Sequence, residues 1–319
     1  MSHEVESMAY ANQVPWHGLG ARVDESVSVD EMLKAANLDW SVDLRQLHYA
    51  DGKDEMLEVP GRFALVRSTD GRILTITGDS WHPLQNAETL GFMREYVEAG
   101  GAKLETAGSL RGGKIIWGLA KLNHTFDVTK GDSVNGYLLF TSPHEVGKAI
   151  TVRTTTVRVV CANTMAMANS NSTLEYKQNH LAEFDVEAAK ACVENAHDEL
   201  AAAQARFKTL AKLKINIEDA IKKVIAPVIV PAFNFTDVEK DWDILDPANQ
   251  PKKLAEVIES INTAPGADPV TGWGMLNGVT HWADHVAGRD GASRMHRAWV
   301  GDTARAKVRV EEGLLQLAA

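Results

Sequence analysis

The stretch GYLLFTSPHEVGKAITVRTTTVRVVCANTMAMA, Gly136 to Ala168, decides how the fold is read. Its apolar run Tyr137-Leu138-Leu139-Phe140 suits a strand buried on both faces. A polar loop follows, Thr141-Ser142-Pro143-His144-Glu145, and then an alternating run from Ile150 to Val160. There Arg153 and Arg158 stand among β-branched residues, which favour a pleated backbone. Cys161-Ala162-Asn163-Thr164 closes the strand with good helix-entry residues, and Met165 to Ala168 reads as the start of a helix.

Just upstream, Leu104 to Leu110 and Lys114 to Leu122 read as strands joined by the tight turn Arg111-Gly112-Gly113. With Asn135 to Ser142 and Lys148 to Val160 they make four strands in succession. Short connections favour antiparallel neighbours, so the expected class is α+β: an antiparallel β-meander flanked by helices. No GxGxxG or GxxxxGK[ST] pattern stands at a strand-to-helix turn, so no nucleotide cofactor is expected.

Further toward the N-terminus, Arg62 to Val66 and Arg72 to Thr77 flank Asp70-Gly71, a strong hairpin signal. Asn86 to Glu98 predicts a helix with the apolar stripe Leu90, Met93, Tyr96 and Val97. Ser28 and Glu31 form a capping-box pattern. Downstream, Val186, Ala189, Val193, Ala196, Leu200, Ala203, Phe207 and Leu210 form a seam of period 3.5, predicting a long helix over 185–213. That seam could pack on its own sheet or line a neighbouring subunit. Pro227 and Pro231 are expected to break a short apolar helix, and further helices are expected within 252–317. The expected organisation is a sheet domain over 1–182, with an N-terminal arm, followed by a mainly helical region over 183–319.

Among 319 residues there are two cysteines, Cys161 and Cys192, which fits a reducing compartment without a disulfide framework. No apolar run approaches the roughly 18 residues of a membrane span, and MSHEVESMAY lacks the features of a secretory leader. A cytoplasmic protein is expected.

The net charge of −10 argues against general affinity for nucleic acid, but the charges are segregated. Eight basic residues oppose four acidic ones between Lys103 and Arg158, and six oppose two from Arg289 to Arg309. Such segregation suggests a positive face. Arg111, Lys114, Lys148, Arg153 and Arg158 are the candidate phosphate contacts, with Arg305 and Arg309 extending the track. Trp117 and Tyr137 could stack on bases if exposed. Arg153 and Arg158 differ in strand parity, which counts against one simple stripe.

Two further constellations bear on chemistry. His281 and His285 stand at i, i+4, a spacing that lets two imidazoles share a metal. HWADH lacks the glutamate of a zinc-peptidase motif and no third ligand is evident, so no metal is assigned. Cys161 beside Arg158 could be an activated thiol with His144 as its base. At a strand end, a buried cysteine acting as a small hydrophobe is the commoner role.

The pieces PWHGLG (15–20), LDW (38–40), PLQNAE (83–88), GGKIIW (112–117) and VRVVCANT (157–164) carry a resemblance, as does the late helix with Asn277, Thr280, Trp282, Asp284 and His285. In this order they resemble the phage/plasmid-like proteins, a family of unknown function found on bacterial mobile elements. Where that family's central loop reads like SHDGS, this chain has SPHEVG, 142–147. The resemblance implies a bacterial or phage cytoplasmic protein working near DNA. The element order also looks like that of single-strand annealing proteins, although order alone is weak warrant for function.

The expected function is therefore a homo-oligomeric, non-enzymatic protein that binds single-stranded DNA and acts in annealing or recombination. The first alternative is an acidic interaction protein that engages a host defence or DNA-processing protein. The second is a metal- or thiol-dependent hydrolase built on His281/His285 or Cys161.

Overall fold

The computed structural model describes residues 4–15, 18–52, 55–130, 132–155, 175–194, 196–232, 246, 250–287 and 302–317. They belong to two compact units, the first within 1–124, 135–164 and 172–199, the second within 125–134, 165–171 and 200–319. One of the boundaries between them, 199/200, falls inside the predicted long helix.

The first unit is built on the expected meander. Ala102–Leu110 (β6), Ile115–Thr129 (β7), Asp132–Pro143 (β8) and Ile150–Thr155 (β9) lie side by side in sequence order. Glu175–Gln178 (β10) extends the sheet beyond β9. On the other edge, Val5–Tyr10 (β1) pairs antiparallel with β6, and the two-residue Ala21–Arg22 (β2) runs parallel to β1. The N-terminal arm is thus a sheet strand. Its mixed polarity hid it, because Glu6 and Ser7 stand together between buried Val5 and Met8, where the register shifts, and break any period of two. The β6–β7 turn places Arg111, Gly112 and Gly113 at φ +55°, +69° and +87°. Three successive left-handed residues are cheap only where glycine dominates.

Val42–Ala50 (β3), Met56–Arg67 (β4) and Ile73–Thr77 (β5) form a separate three-stranded antiparallel sheet. The hairpin at Asp70-Gly71 forms as expected, because the Arg67 guanidinium grips Asp70 (2.9 and 2.6 Å) across the turn. Arg67 also bonds Glu6 of β1 at 2.9 Å and lies 5.2 Å from the Trp40 ring centre. Ser28 and Glu31 cap Val29–Ala35 (α1) reciprocally.

The predicted 86–98 helix is two short segments, Asn86–Gly91 (α2) and Arg94–Glu98 (α3), with Leu90 and Met93 fully buried. They approach the sheet at Gly118, where a Cβ would sit 3.3 Å from the Met93 thioether and 3.6 Å from Leu90.

The predicted long helix is seen as Val186–Glu194 (α4) and Ala196–Lys212 (α5). Ala189, Val193, Leu200, Ala203, Phe207 and Leu210 of its seam are buried, whereas Val186 is exposed. Phe207 packs on Phe126 and Trp273, so this part of the seam is spent within the chain.

In the second unit, Ile217–Ala220 (α6) runs through a π turn, Ile221–Ile225, into Ala226–Ile229 (α7). Pro227 does not break this helix as expected. The wider turn just before it accommodates the ring and the missing N–H, and the helix ends at Val230. Lys252–Thr263 (α8), Gly272–His281 (α9) and Asp302–Gln316 (α10) complete the unit. Its core includes Leu210, Ile225, Leu254, Ile261, Met275, Trp282, Val310 and Leu314.

Helices α8 and α9 pack backbone to backbone at Gly278, where a Cβ would lie 2.4 Å from the Ile261 Cα. Gly278→Ala is expected to destabilise the protein by roughly 1–3 kcal/mol, because the neighbour is main chain and cannot step aside. Gly91→Ala is the contrast. No atom lies within 4 Å of the point its Cβ would occupy, so a neutral or slightly stabilising change is expected. Urea unfolding of the two variants tests the pair.

Candidate functional site

Three of the cations expected to contact phosphate, Arg111, Lys148 and Arg153, are paired with carboxylates. Arg111 is tied to Glu4 at 2.6 Å, and Lys148 to Glu145 at 2.6 Å. Arg153 is only 5% exposed and pairs with Glu175 directly across β9 and β10. Its neighbour across β8 is Leu139, so it projects from a packed sheet face rather than to solvent. Lys114 is half-buried in the β6–β7 turn, while Arg305 and Arg309 are exposed on α10 of the second unit. Arg158 and Cys161 lie outside the described residues. Trp117 has no exposed surface and donates its indole N–H to Thr106 Oγ1 at 3.2 Å. Tyr137 is 4% exposed. Strand pairing puts both rings into the interior rather than on a free face.

What the first unit does assemble is a buried polar cluster that joins the PLQNAE, LDW and SPHE segments. Asn86 opens α2 and is 1% exposed. Its amide donates to the carbonyls of Leu38 (3.1 Å) and Trp40 (3.0 Å), so its oxygen must face His144 Nε2 at 2.9 Å. Beside it, Gln85 exchanges two 3.0 Å hydrogen bonds with the backbone of Val42, acting as one more strand residue. The amide orientation of Asn86 fixes the tautomer of His144: Nε2 carries the proton and Nδ1 is bare. His180, stacked on Trp81 at 4.2 Å, must donate from Nδ1 to the His82 carbonyl (3.1 Å), which leaves its Nε2 bare. His82 N–H returns a 2.7 Å bond to the His180 carbonyl.

Burial, and then the charge of His180, lower the His144 pKa to about 3. Burial lowers that of His180 as well, against hydrogen bonds to the His82 and Pro143 backbone. His144 is therefore a neutral, enclosed donor to Asn86 and a poor base for any thiol. Trp81 Nε1, Ser142 Oγ, His144 Nδ1 and His180 Nε2 are buried without a hydrogen-bond partner among the described residues. The composition and spacing of the sequence offer no signal for this cluster, because its contacts join residues 46 to 98 positions apart.

Above the cluster opens a cleft of about 640 Å³, lined by His82, Pro83, Leu84, Phe92, Ile150 and Phe184. Glu88, Glu95 and Glu183 also line it. Its one lysine, Lys190, is drawn to Glu95 at 2.7 Å and Glu187 at 3.5 Å. The size is that of a ligand pocket. The chemistry it offers is an aromatic and aliphatic lining beside excess negative charge.

In the second unit His281 and His285 face each other with ring centres 4.9 Å apart. No group of three or more His, Cys, Asp or Glu suited to a metal occurs among the described residues. The side chain of Asp284 and all of His296, the nearest other candidate ligands in the sequence, lie outside them. Among the described residues no helix is long and apolar enough to cross a membrane.

The buried histidines set a pH dependence. An unfolded imidazole titrates near 6.5, whereas folded His144 and His180 titrate lower, so the folded state binds fewer protons. The stability they confer is complete above about pH 6.5 and declines as pH falls toward about 3. The urea midpoint is expected to drop over this range. His144→Gln, whose amide can still donate to Asn86, is expected to make the drop shallower. Equal slopes for the variant and the unmodified chain would show that folding does not shift the His144 pKa.

No curated protein and no solved structure matches the chain. One family profile does, that of the Domain of unknown function (DUF932), over residues 73–308. The match begins at β5, after PWHGLG and LDW, and takes in PLQNAE, the SPHE loop, the whole meander and α2 through α9. The chain belongs to this family of unknown function.

Proposed function

We propose that this chain is a non-enzymatic interaction protein that captures a basic, amphipathic segment of a partner protein in the cleft of the first unit. The observation that carries this reading is the cleft itself: Leu84, Phe92, Ile150 and Phe184 beside Glu88, Glu95 and Glu183, on a chain of net charge −10. An apolar lining gives affinity, while the surplus carboxylates select cationic partners and exclude acidic ones. The resemblance to mobile-element proteins supports a cytoplasmic partner from the host's defence or DNA-processing machinery.

Labelled peptides alternating Lys/Arg with Leu/Phe, and their Glu-substituted counterparts, provide the test by fluorescence anisotropy. The basic series is expected to bind and the acidic series not. Glu95→Gln and Glu183→Gln should each weaken binding by about two- to fivefold, the worth of a partly exposed charge pair. Equal binding of both series, or of neither, overturns the reading.

A homo-oligomeric, single-stranded DNA-binding protein, active in annealing or recombination, is the second reading. It is supported by Arg305 and Arg309, exposed one turn apart on α10. Gel retardation of an oligonucleotide at rising salt separates the two. The interaction reading expects no shifted band. A shift that weakens steeply with salt, and is lost in Arg305→Gln/Arg309→Gln, would put DNA in its place.

A further inference from the structure

We propose that His281 and His285 form a two-imidazole site for a divalent transition ion of the zinc, nickel and copper class. The site is independent of the cleft and of either functional reading. Helix α9 ends at His281 and continues as a π turn, Trp282–Val286, closed by Ala287 N–H on the Trp282 carbonyl at 2.8 Å. The inner side of this turn is held firmly: Trp282 is 3% exposed and donates its indole N–H to Glu256 at 3.1 Å, and Ala283 is 1% exposed. With those two residues facing the core, His281 is left half-buried and His285 exposed.

The ring geometry fits one shared ion. With metal–nitrogen bonds of about 2.0–2.1 Å and a near-tetrahedral angle, the centres of two ligating imidazoles lie about 5 Å apart. The observed separation is 4.9 Å, with the rings tilted by 43°. His281 Nδ1 faces the hydroxyl of Ser260 at 3.4 Å, and Ser260 is itself buried on α8. A partner on the second nitrogen is how ligating histidines are oriented, and it turns Nε2 toward the open side. Imidazole donors suit zinc, nickel and copper rather than calcium or magnesium. No third His, Cys, Asp or Glu is gathered here among the described residues. A π turn is also a common companion of functional sites.

Isothermal titration of the full chain with zinc chloride, and separately nickel chloride, tests the site. One ion per chain is expected at pH about 7.5. His281→Gln and His285→Gln should each weaken binding at least about tenfold, the loss usual for a removed ligand contact. His48→Gln, an exposed histidine elsewhere, should change nothing. Thermal unfolding without metal confirms that each variant is folded. No stoichiometric heat with either metal, or undiminished binding in both folded variants, overturns the proposal.

Discussion

A single buried carboxamide holds the first unit in register. Asn86 spends both of its N–H groups on main-chain carbonyls before β3 and its oxygen on the imidazole at the end of β8. No other orientation satisfies all three partners, so the α2 entry, the LDW segment and the SPHE loop must meet in one arrangement. Each buried partner left unmatched would cost about 1–3 kcal/mol, which makes the cluster cooperative rather than a sum of contacts. Gln85 reinforces it by imitating a strand, and Arg67 ties the small sheet back to β1 through Glu6. The cleft stands on this base: Pro83 and Leu84 come from the segment that leads into Asn86, and Phe184 packs at 5.2 Å on Phe140 of β8.

Charge follows a different logic from the one its distribution along the chain suggests. Basic residues are concentrated in the meander, yet the fold gives Arg111, Lys148 and Arg153 each a carboxylate. Arg153 is the clearest case: burial lowers the pKa of its guanidinium, and the paired Glu175 opposes that shift. These cations hold strands and turns together. The acids of the cleft are less fully answered, since Lys190 is the one cation among the described residues that line it. An electrostatic preference for cationic partners therefore follows from position rather than from net charge alone.

The second unit rests on close approach. Gly278 lets α9 lie against the backbone of α8 at Ile261, and Gly313 of α10 admits Val224. The two π turns among the described residues have different causes. The one at Ile221–Ile225 precedes Pro227 and relieves the ring, whereas the one at Trp282–Val286 has no proline, follows His281 and carries His285.

Much of the scaffold could be read from local chemistry. The strands from Leu104 to Thr155, the hairpin at Asp70-Gly71, the Ser28–Glu31 cap and the helix periodicities between Asn86 and Leu314 all arise from neighbours within a few residues. Turn residues, caps and a period of 2 or 3.6 act over that range, so the sequence by itself determined the elements and the α+β class. It could not determine which elements meet. Whether Arg153 and Trp117 face solvent depends on what covers a strand face, and β1 is a strand only because β6 is there to pair with it. Asn86, His144 and His180 became a cluster only in three dimensions, through hydrogen bonds between distant segments. Tertiary structure decided those matters because burial and polar pairing are properties of the assembled interior, not of the chain.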